Sequence, residues 1–218
     1  MRLVLLGAPG VGKGTQAEKL VSRYNIRKIS TGDLLREAVR NGTSLGREAK
    51  SFMDQGQLVP DSVVIGLVKE KLSDPSCVKG FVLDGFPRTV HQAEELAKVL
   101  AQKDIALDRV VNFQVDRGEI VNRLSGRRNC PKCQATYHVE YAPSGKGLVC
   151  ERCDEALVQR SDDKKEAIET RLLVYEEQTA PLISFYKKKD ILSNLESVGP
   201  IDSVFEKLAK VLAAHKIA

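Results

Sequence analysis

The sequence predicts an α/β fold in three layers, with a central parallel five-stranded sheet between two layers of helices. Two observations predict it: short apolar runs typical of buried strands recur along the chain, and segments with helical periodicity fill most of the intervals between them. Length and composition agree, because 218 residues with 42% hydrophobic content can bury a core in one domain.

Three apolar runs are strong strand candidates and two are weaker. The strong runs span residues 3–6, 81–83 and 110–115, and the weaker runs span residues 27–30 and 191–195. Strands that alternate with helices pair in parallel through right-handed crossovers. Their carboxyl ends therefore meet at one edge of the sheet, where ligands of such folds bind.

The first strand continues into the glycine-rich stretch GAPGVGKGT, residues 7–15, and apolar residues at helical spacing follow. Glycines let backbone N–H groups converge on an anion at a helix N-terminus, and Lys13 adds a positive charge. The stretch departs by one residue from the pattern G-x-x-x-x-G-K-[ST], since Gly14 precedes Thr15. A glycine-rich turn without a ligand is the alternative, but the strand–loop–helix context favours a nucleoside triphosphate.

Three helix starts resemble a capping box, in which two side chains three residues apart bond each other's backbone. The pairs are Thr89 with Gln92, Asp116 with Glu119, and Ser203 with Glu206.

Two segments depart from the alternating pattern. Residues 30–60 form helices broken at Asn41-Gly42 and at residues 57–60, and residues 126–160 lose helical period. We expect two inserted mobile subdomains on a compact core.

The second insert carries four cysteines in two C-x-x-C pairs, Cys130 with Cys133 and Cys150 with Cys153. Two such pairs can complete the tetrahedral coordination of Zn²⁺ without an open position, so the predicted site is structural. Between the pairs, residues 136–141 and 146–149 flank the turn residues 143–145, which suggests a hairpin.

Redox chemistry and nucleic-acid binding are the alternatives for this insert. A redox pair would not need a second matching pair. Residues 126–160 hold six basic and four acidic side chains, a small excess that four thiolates and one Zn²⁺ would cancel. Cys77 stands alone and is interpreted as a small packing residue.

The net charge of +5 is only mildly basic, and an excess of this size could serve the binding of phosphate ligands or simply keep the protein soluble. The N-terminal apolar run ends after four residues, too short for a signal peptide or a membrane span. We therefore expect a cytoplasmic protein that works without a membrane.

The stretch DGFPRT, residues 84–89, follows one strand and precedes a helix, so Asp84 is expected near the glycine loop. It could hold Mg²⁺ directly or through water, or serve as a local acceptor in a turn. Five arginines flank or follow the cysteine insert, and each alone could be ordinary helix surface charge: Arg123, Arg127, Arg128, Arg160 and Arg171.

With these pieces in order, the chain closely resembles adenylate kinase, and the resemblance covers most of its length. The matching segments are GAPGVGKGT, STGDLLR (30–36), QLVP (57–60), DGFPRT, RLSGRR (123–128), the cysteine insert, and Arg160 with Arg171. Its long insert resembles the lid of the zinc-containing bacterial type. The family expects GKGT, so Gly14 is no defect.

The resemblance implies a P-loop three-layer fold and reversible Mg²⁺-dependent transfer, ATP + AMP = 2 ADP. It implies core segments 1–29, 60–125 and 164–218, an AMP-binding subdomain at 30–59 and a zinc-binding lid at 126–163 that closes to exclude water. On the ATP side it implies Gly10, Val11, Gly12, Lys13, Gly14, Thr15, Arg123, Arg127, Thr136, Tyr137 and, through the backbone, Pro200. Around AMP it implies Thr31, Arg36, Gln57, Leu58, Val59, Gly85, Phe86, Pro87, Arg88, Gln92, Arg160 and Arg171.

Phosphoryl transfer needs in-line positioning and positive charge, and the acceptor phosphate is already anionic, so we expect no general base. The histidines at positions 91, 138 and 215 are interpreted as surface or packing residues. The predicted catalytic residues are Lys13, Arg88, Arg123, Arg160 and Arg171.

Several alternatives stay open. A kinase for UMP or CMP, or a GTP:AMP transferase, is the nearest, although Thr31 and Gln92 favour AMP. Gln92 could instead close a capping box on Thr89. A zinc-ribbon ATPase that binds nucleic acid lacks the expected basic stripe, so the expected partners are ATP, AMP and ADP, with no nucleic acid, and the chain is expected to be a monomer.

Overall fold

The computed structural model describes residues 1–217. Five strands and a small strand pair alternate with helices. In chain order these are β1 (Arg2–Leu6), α1 (Lys13–Tyr24), β2 (Arg27–Ser30), α2 (Thr31–Arg40), α3 (Ser44–Asp54), α4 (Asp61–Leu72), β3 (Phe81–Asp84), α5 (Val90–Ala101), β4 (Arg109–Gln114), α6 (Arg117–Ser125), β5 (Arg127–Asn129), β6 (Thr136–His138), α7 (Lys165–Val174), α8 (Pro181–Lys188), β7 (Leu192–Glu196) and α9 (Ile201–Ala214).

The main sheet has the strand order β2-β3-β1-β4-β7, and all of its pairs are parallel. This confirms the predicted α/β class and the five predicted strands, whose ends differ by about one residue. Alternate residues of β1 face opposite sides: Val4 and Leu6 pack in one hydrophobic cluster, and Leu3 and Leu5 in the other. Helices cover both faces.

The register brings the carboxyl end of β3 between two neighbours. Asp84 lies opposite Leu5 of β1 and opposite Ser30 of β2. The glycine loop follows β1, and α2 begins directly after Ser30. One edge of the sheet thus carries three of the segments singled out in the sequence.

The first insert is helical, as predicted. It holds α2 and α3, and Asn41 and Gly42 separate them, with Gly42 at a φ of +62°. Residues 57–60 form no regular structure before α4 begins.

The second insert is β-rich, but the predicted hairpin is wrong. Strand β6 pairs antiparallel with β5, which precedes it, and not with residues 146–149. Ser144 and Gly147 close only a tight turn, through one bridge. The polar sequence of β5, RRN, carries no strand pattern, so the pairing partner was missed.

The two inserts also contact each other. Arg40 Nη1 of α2 donates to the Pro131 carbonyl at 3.1 Å. Ser161 Oγ donates to Asp54 Oδ1, at the end of α3, at 2.6 Å. The described structure therefore has both inserts closed toward one another.

Of the three predicted capping boxes, none forms completely. Thr89 Oγ1 caps α5 by accepting from the Gln92 backbone N–H. The Gln92 side chain, however, accepts from the backbone N–H of Arg88 and not from that of Thr89. Asp116 makes no side-chain cap. Helix α9 already begins at Ile201, so Ser203 lies inside it. Among residues 1–217, no helix is both long and apolar enough to cross a membrane.

Candidate functional site

The glycine loop at residues 7–12 links β1 to α1 through backbone that side chains would block. A Cβ on Gly7 would lie 2.5 Å from the Phe113 carbonyl oxygen, and Gly7 has a φ of +131°. Gly12, with a φ of +94°, is the N-cap of α1. The loop therefore brings bare backbone to the N-terminus of a helix, where an anion is stabilised.

Lys13 folds back over this loop. Its Nζ donates to the carbonyls of Gly7 at 2.7 Å and Ala8 at 2.8 Å. Burial lowers the pKa of Lys13 from 10.5 to about 8; Asp84 opposes the drop, whereas Arg88 and other arginines reinforce it. The loop carbonyls thus hold the Lys13 ammonium in place, but the negative charge around it is too small to offset the desolvation that burial causes.

Three of the predicted arginines share this condition. Burial, with Arg171 close by, lowers the pKa of Arg88 to about 10. Burial and the neighbouring Arg127 lower the pKa of Arg160 to about 9, and burial also lowers the pKa of Arg171. Clustered buried cations that depress one another's pKa form a site suited to a polyanion.

A buried carboxylate, that of Asp163, joins Arg171 to Arg127. Arg127 donates from Nε to Asp163 Oδ2 at 2.7 Å and from Nη2 to Oδ1 at 2.6 Å. Arg171 Nη1 donates to the same Oδ1 at 2.9 Å, and lies 3.2 Å from Asp162 Oδ2. The sequence analysis missed both aspartates; their only signal was the acidic pair that follows Arg160 in the sequence.

A cavity of about 950 Å³ runs from the glycine loop to the second insert. Ten basic and four acidic side chains line it, so its walls are strongly positive. The residues predicted on the ATP side that line it are Gly10, Gly12, Lys13, Gly14, Thr15, Arg123, Arg127, Thr136, Tyr137 and Pro200.

A smaller cavity adjoins the first insert, and Arg36, Arg88 and Arg171 line both cavities. The other residues predicted around AMP that line the smaller one are Thr31, Gln57, Leu58, Val59, Gly85 and Gln92. Pro87 and Arg160 line the larger cavity instead.

Two predicted residues do not present their side chains to either cavity. Phe86 is 1% exposed and packs in the hydrophobic core, and Val11 is equally buried beneath the loop. The Val11 carbonyl accepts a hydrogen bond from Ser197 Oγ at 2.7 Å, which anchors the loop. Any role of Phe86 and Val11 in binding is therefore one for their backbone.

The chain of contacts around Gly85 orders the smaller cavity. Thr31 Oγ1 and Arg88 Nε both donate to the Gly85 carbonyl, at 2.8 and 2.9 Å. Arg36 pairs with Asp33, and its buried Nε has no partner among the described residues. These bonds fix the arginines beside the cavity.

Asp84, at the carboxyl end of β3, offers a carboxylate that suits a divalent cation. Its carboxylate lines the larger cavity together with the Thr15 hydroxyl, and both are hard oxygen donors. A Cβ on Gly14 would lie 3.3 Å from Asp84 Oδ2. A glycine at this position keeps the space in front of the carboxylate clear.

The four insert cysteines converge as the spacing predicts. Their Sγ atoms all lie within 4.8 Å of one another, with Cys130 to Cys153 at 3.4 Å and Cys133 to Cys150 at 3.5 Å. This all-sulfur set of four is compatible with structural Zn²⁺. Cys77 lies apart, buried, and its thiol donates to the Lys71 carbonyl.

The larger cavity is also lined by three residues to which the sequence analysis gave no binding role: Glu119, His138 and Tyr141. Glu119 Oε1 accepts from Arg123 Nε at 2.7 Å, and its Oε2 accepts from the Tyr141 hydroxyl at 3.3 Å. His138 stacks on Tyr141 with the ring centroids 4.4 Å apart. As expected, His138 is a packing residue, but it packs within the cavity wall.

Comparison with known proteins agrees with this geometry. Residues 5–191 match the family model for adenylate kinase. The adenylate kinase of Thermodesulfovibrio yellowstonii is 53% identical over 212 residues, covering 97% of this chain and 99% of the relative. That of Archaeoglobus fulgidus is 49% identical over 216 residues, covering 99% and 100%. Because the match spans nearly the whole chain in both directions, the chain belongs to the adenylate kinase family.

Proposed function

We propose that the two adjoining cavities are the two nucleotide sites of one reaction, with ATP in the larger cavity and AMP in the smaller one. The enzyme is a nucleoside monophosphate kinase that catalyses ATP + AMP = 2 ADP in both directions. The observation that supports this assignment most is the cluster of arginines that line both cavities, among which Arg88 and Arg171 have pKa values lowered by burial.

On the ATP side, the loop from Gly10 to Thr15 holds the phosphates through its backbone N–H groups and Lys13. Arg123, Arg127, Thr136 and Tyr137 face the nucleotide from the other wall, and the backbone at Pro200 closes the end. All these residues except Val11 line the larger cavity, which supports the assignment.

On the AMP side, Arg36, Arg88, Arg160 and Arg171 neutralise the acceptor phosphate. Thr31, residues 57–59, residues 85–87 and Gln92 surround the rest of the nucleotide. Leu35, Met53 and Val64 also line this cavity and give it an apolar surface against which a purine base can pack.

The transfer itself rests on position and charge. Lys13, Arg88, Arg123, Arg160 and Arg171 stabilise negative charge on the migrating phosphoryl group, and arginine forks match its equatorial oxygens. All five of these cations are held by protein acceptors: Lys13 by loop carbonyls, Arg88 by the Gly85 carbonyl, Arg123 by Glu119, Arg160 by Asn129 and Arg171 by Asp163. They are therefore oriented before the substrates arrive, which lowers the cost of reorganisation.

The family acts with Mg²⁺ and ATP, and we assign the ion to the side of Asp84, held mainly through water. When bound, the ion neutralises phosphate charge that the protein cations leave uncovered. Zn²⁺ bound by Cys130, Cys133, Cys150 and Cys153 holds the lid in shape and lies outside the reaction.

We further propose that residues 30–59 and 126–163 move as an AMP-binding subdomain and a lid, on a core formed by residues 1–29, 60–125 and 164–218. The enzyme works as a cytoplasmic monomer and binds neither nucleic acid nor membrane. Gel filtration with light scattering, and a polynucleotide-binding titration at low salt, test the monomer and the absence of nucleic-acid binding.

One coupled assay tests the substrate assignment. ATP is supplied with AMP, UMP, CMP or GMP in turn, and ADP formation is followed. We expect AMP to be preferred by a wide margin in kcat/KM. Comparable values with UMP or CMP would overturn the assignment in favour of a pyrimidine nucleotide kinase.

A further inference from the structure

Gln92, in the first turn of α5, is buried at 1% exposure and lines the smaller cavity. Its side-chain amide has one partner at each end. Oε1 accepts from the Arg88 backbone N–H at 2.8 Å, and Nε2 donates to Asp61 Oδ1 at 2.6 Å. The amide is thus held at two points before any nucleotide binds.

Chemistry fixes the direction of both bonds. A backbone N–H can only donate, so the amide atom beside Arg88 must be the oxygen. An ionised carboxylate can only accept, so the atom beside Asp61 must be the nitrogen. A flipped Gln92 amide would set donor against donor at one end and acceptor against acceptor at the other.

The second oxygen of Asp61 strengthens this arrangement. Oδ2 accepts from Thr89 Oγ1 at 2.9 Å, and Thr89 Oγ1 in turn accepts from the Gln92 backbone N–H at 3.1 Å. The carboxylate at the start of α4 therefore holds the cap of α5 and the Gln92 amide together.

Each end of the amide can form one more hydrogen bond, through the second proton on Nε2 and the second lone pair on Oε1. One donor beside one acceptor matches the N1 and 6-amino edge of adenine, which offers an acceptor beside a donor. A 6-oxopurine offers the opposite order, a donor at N1 and an acceptor at O6. It would fit only the flipped amide.

We propose that Asp61 is a positioning residue for base selection. By holding the Gln92 amide in one orientation, it makes the pocket accept a 6-aminopurine monophosphate and reject a 6-oxopurine monophosphate. The inference rests on the proposed function, in which Gln92 reads the base of the acceptor nucleotide. It extends that function to a residue outside the nucleotide sites.

The test compares AMP with inosine monophosphate, which differs from AMP only at this edge of the base. Asp61→Asn keeps the shape of the side chain but adds a donor, so both amide orientations become possible. Asp61→Ala removes the anchor. Ser62→Ala, an exposed change in the same turn of α4, is the matched control. Steady-state kinetics give KM for AMP and for ATP, and kcat/KM for both acceptors.

We expect the preference for AMP over inosine monophosphate to fall about tenfold in Asp61→Ala and about threefold in Asp61→Asn. KM for AMP should rise while KM for ATP stays within twofold of the parent, and Ser62→Ala should match the parent. In a Gln92→Ala background the effect of either Asp61 change on the preference should vanish, because the amide that it positions is gone.

The outcomes separate the two levels of the proposal. If Gln92→Ala loses the preference while both Asp61 variants keep it, the inference is wrong and the proposed function stands. If the Asp61 variants lower activity with AMP and inosine monophosphate equally, Asp61 only supports the fold, and the inference is again wrong. A parent enzyme that does not use AMP would overturn both. Should Asp61→Ala melt too early to assay, Asp61→Asn carries the comparison.

Discussion

Asp163, whose side chain is fully buried, bridges Arg127 and Arg171, so one carboxylate orients two arginines that line the larger cavity, and Arg171 lines the smaller cavity as well. Both arginines are themselves largely buried. Removing the carboxylate would leave two cations facing each other in a poorly solvated place.

We therefore expect Asp163→Ala to lower the free energy of unfolding by about 3–5 kcal/mol, since breaking a buried pair leaves charge uncompensated. Urea denaturation of the substrate-free enzyme measures this. Asp154→Ala is the control, because Asp154 is 73% exposed and pairs with Lys146 at the surface, so its loss should cost less than about 1 kcal/mol. Equal effects of the two changes would contradict the bridging role.

Lys13 should make stability depend on pH. Its pKa is 10.5 when unfolded and about 8 when folded, so between these values the unfolded chain binds more protons and stability rises with pH. Since each pKa unit corresponds to 1.36 kcal/mol, the penalty present below pH 8 and relieved by pH 10.5 is about 3 kcal/mol. Lys13→Met should lack this rise, so parent and variant are compared by denaturation at pH 7 to 10.5. If the free energy of unfolding changed with pH in the same way in parent and variant, burial of the charged Lys13 would not destabilise the folded protein.

Arg88 is expected to act mainly in the transition state. Arg88→Ala should lower kcat by about 10²–10³-fold while the protein stays folded, because a positioned charge on the transferred group is lost. The control is Arg117→Ala, which removes an exposed arginine paired with Glu176 and should leave kcat within twofold. Turnover by Arg88→Ala within a few-fold of the parent would remove it from the catalytic set.

The four-cysteine site separates stability from catalysis. Metal removal or Cys130→Ser should lower the Tm, because thiolates that converge only in the folded insert couple metal binding to folding. Turnover at moderate temperature should remain a substantial fraction of the parent rate, since all four ligand positions are filled by sulfur. Thermal melts, turnover and metal content are measured together, with Cys77→Ser as the control cysteine. A metal-free form with an unchanged Tm, or one folded but inert, would contradict the structural role.

The core of this fold could be predicted from the sequence because its signals are local. The three central strands β1, β3 and β4 are buried over most of their length, so their apolar runs are visible without knowing their neighbours, whereas the edge strands β2 and β7 are only partly buried and gave weaker signals. The glycine loop is equally local, since a backbone path that excludes Cβ atoms demands glycine at fixed positions. The predicted line-up of these segments at one sheet edge is confirmed by the position of Asp84 beside Leu5 and Ser30.

What the sequence could not predict depends on contacts between distant segments. Asp61 and Asp163 act through partners that only the tertiary structure brings close, and an acidic residue alone does not reveal its partner. The strand pairing in the second insert was predicted wrongly for a similar reason: strands of three residues are too short to show a period, so the sequence does not reveal which segments pair. The capping box at Thr89 stayed incomplete because the Gln92 side chain bonds the Arg88 backbone and the distant Asp61.

The direct bonds from Arg40 to Pro131 and from Ser161 to Asp54 join the two inserts without passing through the core. If the inserts move as proposed, we expect a nucleotide that closes one insert to place its contact surface where the other insert can bind it. The two binding equilibria then share a coupling free energy, and it must be reciprocal: AMP raises the affinity for ATP by the same factor by which ATP raises the affinity for AMP. We therefore expect cooperativity between the two substrates to arise within a single chain.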